Sequence, residues 1–160
     1  MKQQDISLLF ICLGNICRSP AAEGVMKHMI EQSDLPFDIA VDSAGIGGWH
    51  AGELPDRRMR SRAQLRGYTL DSRARQFQKA DFDRFDYLIV MDEENYREIS
   101  SRANSTEMKE KVLRMRDFFR QYKGQKTVPD PYYGDENDFD FALDLIEDGC
   151  KGLLERLTGK

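Results

Sequence analysis

The segment Cys12-Leu13-Gly14-Asn15-Ile16-Cys17-Arg18-Ser19 sets a thiol and a guanidinium at either end of a short loop, a Cys-x5-Arg-Ser pattern. A loop of this length running into a helix can turn successive backbone N–H groups inward as a concave anion nest. The helix N-terminus adds further free donors and the positive end of its dipole. Gly14 is expected to supply backbone freedom where the chain curls. Arg18 can grip two oxygens of a tetrahedral anion in a planar fork, which a lysine cannot do. The same field favours a thiolate at Cys12, and a thiolate on the floor of a phosphate cradle is placed for in-line attack on phosphorus. Ser19 can hydrogen-bond that sulfur. The competing reading, a buried strand-end cysteine and a surface arginine, is weakened by the Gly-Asn turn and by the Ser-Pro entry into an amphipathic helix.

A phosphocysteine route needs a proton donor for the leaving oxygen and then a base for water. Asp130, in Val128-Pro129-Asp130-Pro131-Tyr132-Tyr133-Gly134, is the candidate: prolines on both sides stiffen its loop, and the two tyrosines offer walls for a flat ring. A Pro-Asp-Pro turn in which Asp130 only bonds its own backbone is the plainer alternative.

The elements that must position these groups are legible as short apolar runs alternating with helical patterns. Ser7 to Leu13, Ile39 to Ala44, Tyr87 to Met91 and Val112 to Met115 read as strands, apolar without alternation where both sheet faces are covered. Helical faces recur at Ala22, Val25, Met26, Met29 and Ile30, over Pro55 to Arg66 before Gly67, and along Ala142, Leu145, Ile146, Gly149, Cys150, Leu153, Leu154 and Leu157. Ser19-Pro20 is expected to open the first helix, with a hydroxyl near the cap and proline where no amide hydrogen is needed. The alternation predicts an α/β fold with a parallel sheet and right-handed crossovers, and a site beyond the carboxyl ends of the strands, where the Cys12 loop lies.

The chain has 160 residues, the length of a single domain spanning 1–160, and 40% of them are hydrophobic, enough for one core. A net charge of −4 argues against nucleic acid as a partner. The polar start from Met1 to Ser7 does not read as an export signal, so none is expected, and no apolar run is long enough to span a bilayer, so no membrane partner is expected. Three cysteines make no disulfide framework, and a reducing, cytoplasmic setting is the natural expectation. Charge is unevenly spread. Asp56 to Arg75 holds seven arginines against two aspartates, whereas Asp130 to Asp148 holds eight acidic residues and no basic one. Arg58, Arg62 and Arg66 share one helical face, read as either a solvated surface or a steering patch for acidic phosphoproteins.

Taken together, Cys12 to Ser19 and Asp130-Pro131-Tyr132-Tyr133-Gly134 resemble the low-molecular-weight protein tyrosine phosphatases. The resemblance extends through Asp42-Ser43-Ala44-Gly45, Ala74-Arg75-Gln76 and Phe85-Asp86-Tyr87 to Met91-Asp92. It implies a flavodoxin-like three-layer sandwich with a four-stranded parallel sheet flanked by helices, and neither metal nor cofactor. It implies hydrolysis of phosphotyrosine in proteins, and of small aryl phosphates, with inorganic phosphate or similar oxyanions as product or inhibitors. Cys12 is then the nucleophile, Arg18 the phosphate clamp and Asp130 the general acid and base. Leu13, Gly14, Asn15, Ile16, Cys17 and Ser19 line the phosphate; Trp49, Tyr132 and Tyr133 hold the ring. Asn15 and Ser43 support the loop. Where several members carry a histidine before the Ala-Arg-Gln run, this chain has Ser72-Arg73, so the hydrogen bond that histidine gives to Asn15 is expected from Ser72, from water, or not at all.

Arsenate reductases of the same fold share the loop but need further cysteines in a mobile segment, and Ala80 to Tyr96 contains none. Related arginine phosphatases tend to place threonine at the position of Ile16 and phenylalanine at that of Tyr132. A phosphopeptide-binding module without catalysis is the reading from another class, and such a module would need neither Cys12 nor Asp130. Cys17 shares the curled loop with Cys12, so a reversible disulfide after oxidation of Cys12 is a further expectation, against a small apolar residue tucked under the loop. Cys150, on the apolar stripe of the last helix, reads as core.

Overall fold

The computed structural model describes residues 5–159, so most of the polar start lies outside the described residues. Four strands, β1 (Ile6–Cys12), β2 (Ile39–Gly45), β3 (Tyr87–Val90) and β4 (Val112–Arg114), pair in parallel in the order β2-β1-β3-β4. Helices α1 (Arg18–Glu31), α2 (Arg57–Leu65), α3 (Asp81–Arg84), α4 (Glu93–Ser101), α5 (Thr106–Glu110) and α6 (Glu136–Thr158) cover the sheet, with a 3₁₀ turn over Met115–Phe118.

The alternation of side chains along β1 divides the core in two. Leu8, Phe10 and Cys12 pack with Val25 and Met26 of α1 and with Leu145 and Ile146 of α6. Leu9 and Ile11 face the other way, against Phe82 of α3 and Ile99 of α4. Because both faces are covered, Leu8 through Ile11 are all fully buried, which is why the run reads as unbroken apolar sequence. The strand order places β1 and β3 side by side with their following connections diverging, the switch point at which such sheets bind ligands.

The four expected strands appear within a residue or so of their anticipated limits, and Gly67 closes the α2 segment at φ +93°. The 23-residue α6 begins with a capping box between Asp135 and Asp138 and ends on left-handed Gly159. Cys150 is fully buried on its apolar stripe. α3, α4 and α5 were not foreseen; they are short, and the last two depend on caps from Asp92 and Ser105.

The expected charge asymmetry resolves into a helix contact. Arg62 Nε and Nη2 each donate at 2.8 Å to the Asp140 carboxylate, while Arg66 Nη1 meets Asp144 at 2.9 Å and Glu147 at 2.6 Å. The basic face of α2 is therefore spent on the acidic face of α6. Neither a free solvated face nor a steering patch describes Arg62 and Arg66.

Candidate active site

The connection from β1 to α1 is built with its carbonyls turned into the protein. Cys12 O, Leu13 O and Ile16 O accept from the N–H groups of Ile46, Gly47 and Asp56 at 3.0, 2.9 and 2.7 Å. Among the described residues, the backbone N–H groups from Gly14 to Ser19 have no acceptor in the protein. A loop whose oxygens are committed to one side and whose amides are uncommitted is a cradle for an anion. The left-handed residue that curls it is Asn15, at φ +58°, and not Gly14. Asparagine tolerates that region through its short polar side chain. Gly14 matters for space, since a Cβ there would sit 3.3 Å from His50 Cδ2. Gly45, at the end of β2, leaves no room at all: its Cβ would meet the backbones of Gly14, Asn15 and Gly47 at 2.9 to 3.0 Å.

Ser19 does not cap α1. The helix has Cys17 at its N-cap with no side-chain cap bond. Ser19 Oγ lies 2.9 Å from Cys12 Sγ instead. Behind it runs an ordered chain. Asn15 Nδ2 donates to Ser19 Oγ at 2.8 Å and to Ser43 Oγ at 3.0 Å, and Ser43 Oγ donates to Glu23 Oε1 at 2.6 Å. Glu23 is itself buried and paired with Lys27 Nζ at 2.6 Å. Because the carboxylate can only accept, Ser43 gives its hydrogen to Glu23, Asn15 spends both amide hydrogens, and the Ser19 hydroxyl is left to donate, with the Cys12 sulfur at 2.9 Å the nearer acceptor and Ala44 O at 3.4 Å the other. The expectation for Ser72 is corrected here. Asn15 Oδ1 accepts from the backbone N–H of Arg75 at 3.0 Å, and Ser72 lies in a separate depression beside Glu23 and Asp71. A main-chain donor does the work assigned to a side chain.

Arg18 is 2% exposed, and one edge of its guanidinium is fully engaged. Nη1 donates to Asp92 Oδ2 at 2.7 Å and to Val128 O at 2.9 Å. Nε is buried without a partner, and Nη2 has Asp130 Oδ2 only at 3.8 Å. The Nε/Nη2 edge is thus a free fork beside Cys12. Burial opposes the Arg18 charge, but the Cys12 sulfur, Asp92 and Asp130 outweigh it and raise its pKa.

Asp130 approaches from the far side on a loop tied to the end of β3, where Val128 N donates to Met91 O at 2.9 Å. Its Oδ1 accepts from Tyr132 N at 3.2 Å, so the plain turn contact exists as well, but Oδ2 faces Arg18. Arg58 braces this loop, donating to Tyr132 O at 2.9 Å while held by Asp56. Cys12, Arg18 and Asp130 line one cleft of about 280 Å³ walled by Trp49, His50, Tyr132 and Tyr133. Trp49 is 68% and Tyr133 96% exposed, so neither belongs to the core. Leu13, Gly14, Ile16 and Cys17 also line the cleft, whereas the side chains of Asn15, Ser19 and Ser43 are buried behind it. Burial, reinforced by Asp56, pushes the Cys17 thiol pKa far up.

Four contributors were given no place in the site by the sequence reading, although Arg58 and Asp92 were named in it: Asp92, Glu23, His50 and Arg58. Asp92 had a signal, because an acidic residue directly after an apolar strand and before a helix is both an N-cap candidate and at the ligand-binding end of the sheet. The others reach the site only through folding. No group of three or more metal-ligating side chains is gathered among the described residues, and none of their helices is long and apolar enough to cross a membrane.

A family model described as low molecular weight phosphotyrosine protein phosphatase matches residues 7–160. The chain is 45% identical over 152 residues to a Synechocystis sp. protein, covering 95% of this chain and 96% of that one. It is 40% identical to a low molecular weight protein-tyrosine-phosphatase of Streptomyces coelicolor, covering 91% and 89% of the two chains. A crystal structure of protein tyrosine phosphatase from Entamoeba histolytica, with Hepes in the active site, superposes with a TM-score of 0.89 at 44% identity, covering 95% and 96%.

Proposed function

The chain belongs to the low molecular weight phosphotyrosine protein phosphatases, hydrolases of the phosphotyrosine ester, and from that premise we propose how its own residues carry the reaction. The observation that carries the reading is the free Nε/Nη2 edge of buried Arg18 facing Cys12 across a loop of uncommitted amides. That arrangement suits three equatorial oxygens of a phosphoryl group in transit, where planar charge must be met by fixed donors. The Hepes in the Entamoeba relative is a sulfonate, a tetrahedral oxyanion of the same shape.

In the first step Cys12 Sγ attacks phosphorus, the S–P bond forms as the P–O bond to the tyrosine breaks, and Asp130 passes its proton to the phenolic oxygen. In the second, Asp130 takes a proton from water, whose oxygen attacks phosphorus and releases inorganic phosphate and the Cys12 sulfur. Trp49, Tyr132 and Tyr133 hold the ring. The whole chain acts as one catalytic domain, on phosphotyrosine proteins and small aryl phosphates rather than on nucleic acid, without metal or cofactor, in a reducing cytoplasm that keeps Cys12 from oxidation. Freshly reduced protein should hydrolyse p-nitrophenyl phosphate without added metal and be inhibited by vanadate; no turnover would overturn the reading.

Replacing Asp130 by asparagine keeps the turn contact to Tyr132 but removes the proton. We expect kcat on phenyl phosphate to fall by roughly 10²-fold, and less on p-nitrophenyl phosphate, whose leaving group needs little help. Equal losses on both esters would remove Asp130 from the acid role. For Glu23→Gln, an amide that turns its NH2 to Ser43 competes with Asn15 Nδ2 for Ser43 Oγ, so the support of Asn15 and of the loop it curls is weakened. Turnover should drop about tenfold while thermal unfolding stays close to that of the parent. A loss of turnover that only tracks a loss of stability would assign Glu23 to packing alone.

Cys17 shares the cleft with Cys12. Peroxide would convert Cys12 to sulfenic acid, and attack by Cys17 would then form the disulfide with loss of water. Burial raises the Cys17 thiol pKa, which favours its protonated form and works against that closure.

A further inference from the structure

Three arginines of the basic tract stay out of the α2–α6 contact. Among the described residues, Arg57, Arg60 and Arg73 have no carboxylate within the 4.0 Å of an ion pair, whereas Arg58, Arg62, Arg66 and Arg75 all do. The three converge on one depression of about 420 Å³. This depression shares Ile16, His50 and Tyr132 with the cleft that holds Cys12, so the two are adjoining parts of one surface. Arg57 and Arg73 are exposed, and Arg60 is half-buried with Nε donating to Pro55 O at 2.9 Å. Arg73 Nη1 has only a 3.3 Å contact to Gly52 O. The two carboxylates nearby are already engaged: Glu53 lies 3.0 Å from His50 Nδ1, and Asp56 caps α2 while paired with Arg58 at 2.9 Å. In a chain of net charge −4, three arginines without acid partners beside the site are donors looking outward.

We propose that this depression is a subsite for the carboxylate side chains of aspartate or glutamate flanking phosphotyrosine in a polypeptide substrate. The inference rests on the phosphatase reading and names its substrate class. A ring held against Tyr132 leaves the substrate backbone to cross the rim formed by His50 and Ile16. At about 3.5 Å per extended residue, acidic side chains within roughly three positions of the phosphotyrosine reach the guanidinium groups. The contacts are solvent-exposed and made as the peptide docks, so they act on KM rather than kcat and weaken with salt.

The test compares kcat/KM for p-nitrophenyl phosphate, a phosphotyrosine peptide with aspartate and glutamate on both flanks, and the same peptide with asparagine and glutamine instead. Parent protein and the Arg57→Glu, Arg73→Glu double variant are measured at low and at physiological salt. The parent should prefer the acidic peptide by roughly tenfold at low salt. The double variant should lose or invert that preference while its p-nitrophenyl phosphate turnover is unchanged. Equal rates on the two peptides in the parent, or a preference that survives the charge reversals, overturn the subsite. A protein that turns over none of the three probes defeats the phosphatase reading instead. The subsite is then decided by titration calorimetry of the two peptides against Cys12→Ser protein, where equal affinities reject it.

Discussion

Cys12→Ser protein should lose turnover of p-nitrophenyl phosphate by at least about 10⁴-fold while remaining folded and still binding phosphate or vanadate. The size of the loss follows from what the site offers the sulfur. Ser19 Oγ is 2.9 Å away with Ala44 O its other acceptor at 3.4 Å, and the uncommitted loop amides and the Arg18 guanidinium set a positive field around the sulfur. A serine hydroxyl takes little from this field, because it remains protonated at neutral pH and no general base stands behind it. The oxyanion cradle itself is untouched, since its donors are backbone amides and the Arg18 fork. Activity and binding should therefore separate: turnover gone, phosphate affinity near that of the parent by calorimetry, thermal unfolding unchanged. Turnover retained within about tenfold would rule out a phosphocysteine.

Arg18→Lys should be nearly as damaging, with kcat reduced about 10³-fold despite the preserved charge. The buried environment is built for a planar group. One edge is fixed by Asp92 and the Val128 carbonyl, so the other edge, Nε and Nη2, is held where two phosphoryl oxygens would arrive. A lysine ammonium can satisfy Asp92 or reach the phosphate, but it has no second edge with which to do both. In the proposed mechanism the fork tightens on the trigonal phosphoryl group in transit, so the loss should fall mainly on kcat, with a smaller weakening of vanadate inhibition. Thermal unfolding must be measured alongside, as Arg18 also ties the β1 loop to the loop after β3. A kcat within tenfold of the parent would remove Arg18 from the clamp role.

Local signals in the chain were sufficient to bring Cys12, Arg18 and Asp130 forward as candidates, because each sits in a short pattern whose chemistry is carried by neighbours in sequence. A thiol and a guanidinium at the two ends of a strand-to-helix loop, or an aspartate between two prolines, need no long-range information to be noticed. The four strands were legible for a related reason: covering both faces of a parallel sheet forces unbroken apolar runs, and Leu8 through Ile11 or Tyr87 through Val90 cannot easily be anything else. The short helices α4 and α5 were missed because they bury little and are held by caps and tertiary contacts rather than by an apolar face.

Ser72 and Gly14 show where local reasoning stops. A side chain was expected to support Asn15, yet the backbone N–H of Arg75 reaches it from sixty residues away, and nothing in the type of residue 75 could announce that. The freedom to curl the loop was assigned to glycine, yet the left-handed residue is Asn15, because its amide is held from three directions by Ser19, Ser43 and Arg75. The charge tracts are the third case. Their composition was plain, but whether seven arginines face water, a substrate or a helix depends on which elements pack together. Packing α2 against α6 neutralised Arg62 and Arg66 and left Arg57, Arg60 and Arg73 at the mouth of the cleft.

By itself, then, the sequence determined the α/β alternation, the anion-binding loop and the chemical identities of the groups around it, all properties of residues close together in the chain. Only the tertiary structure decided which way the hydrogens of the Glu23–Ser43–Asn15–Ser19 chain point, which edge of Arg18 is free, and which arginines remain unpaired. Those depend on contacts between segments brought together by the parallel sheet, where hydrogen-bond direction and charge pairing are settled by partners distant in sequence.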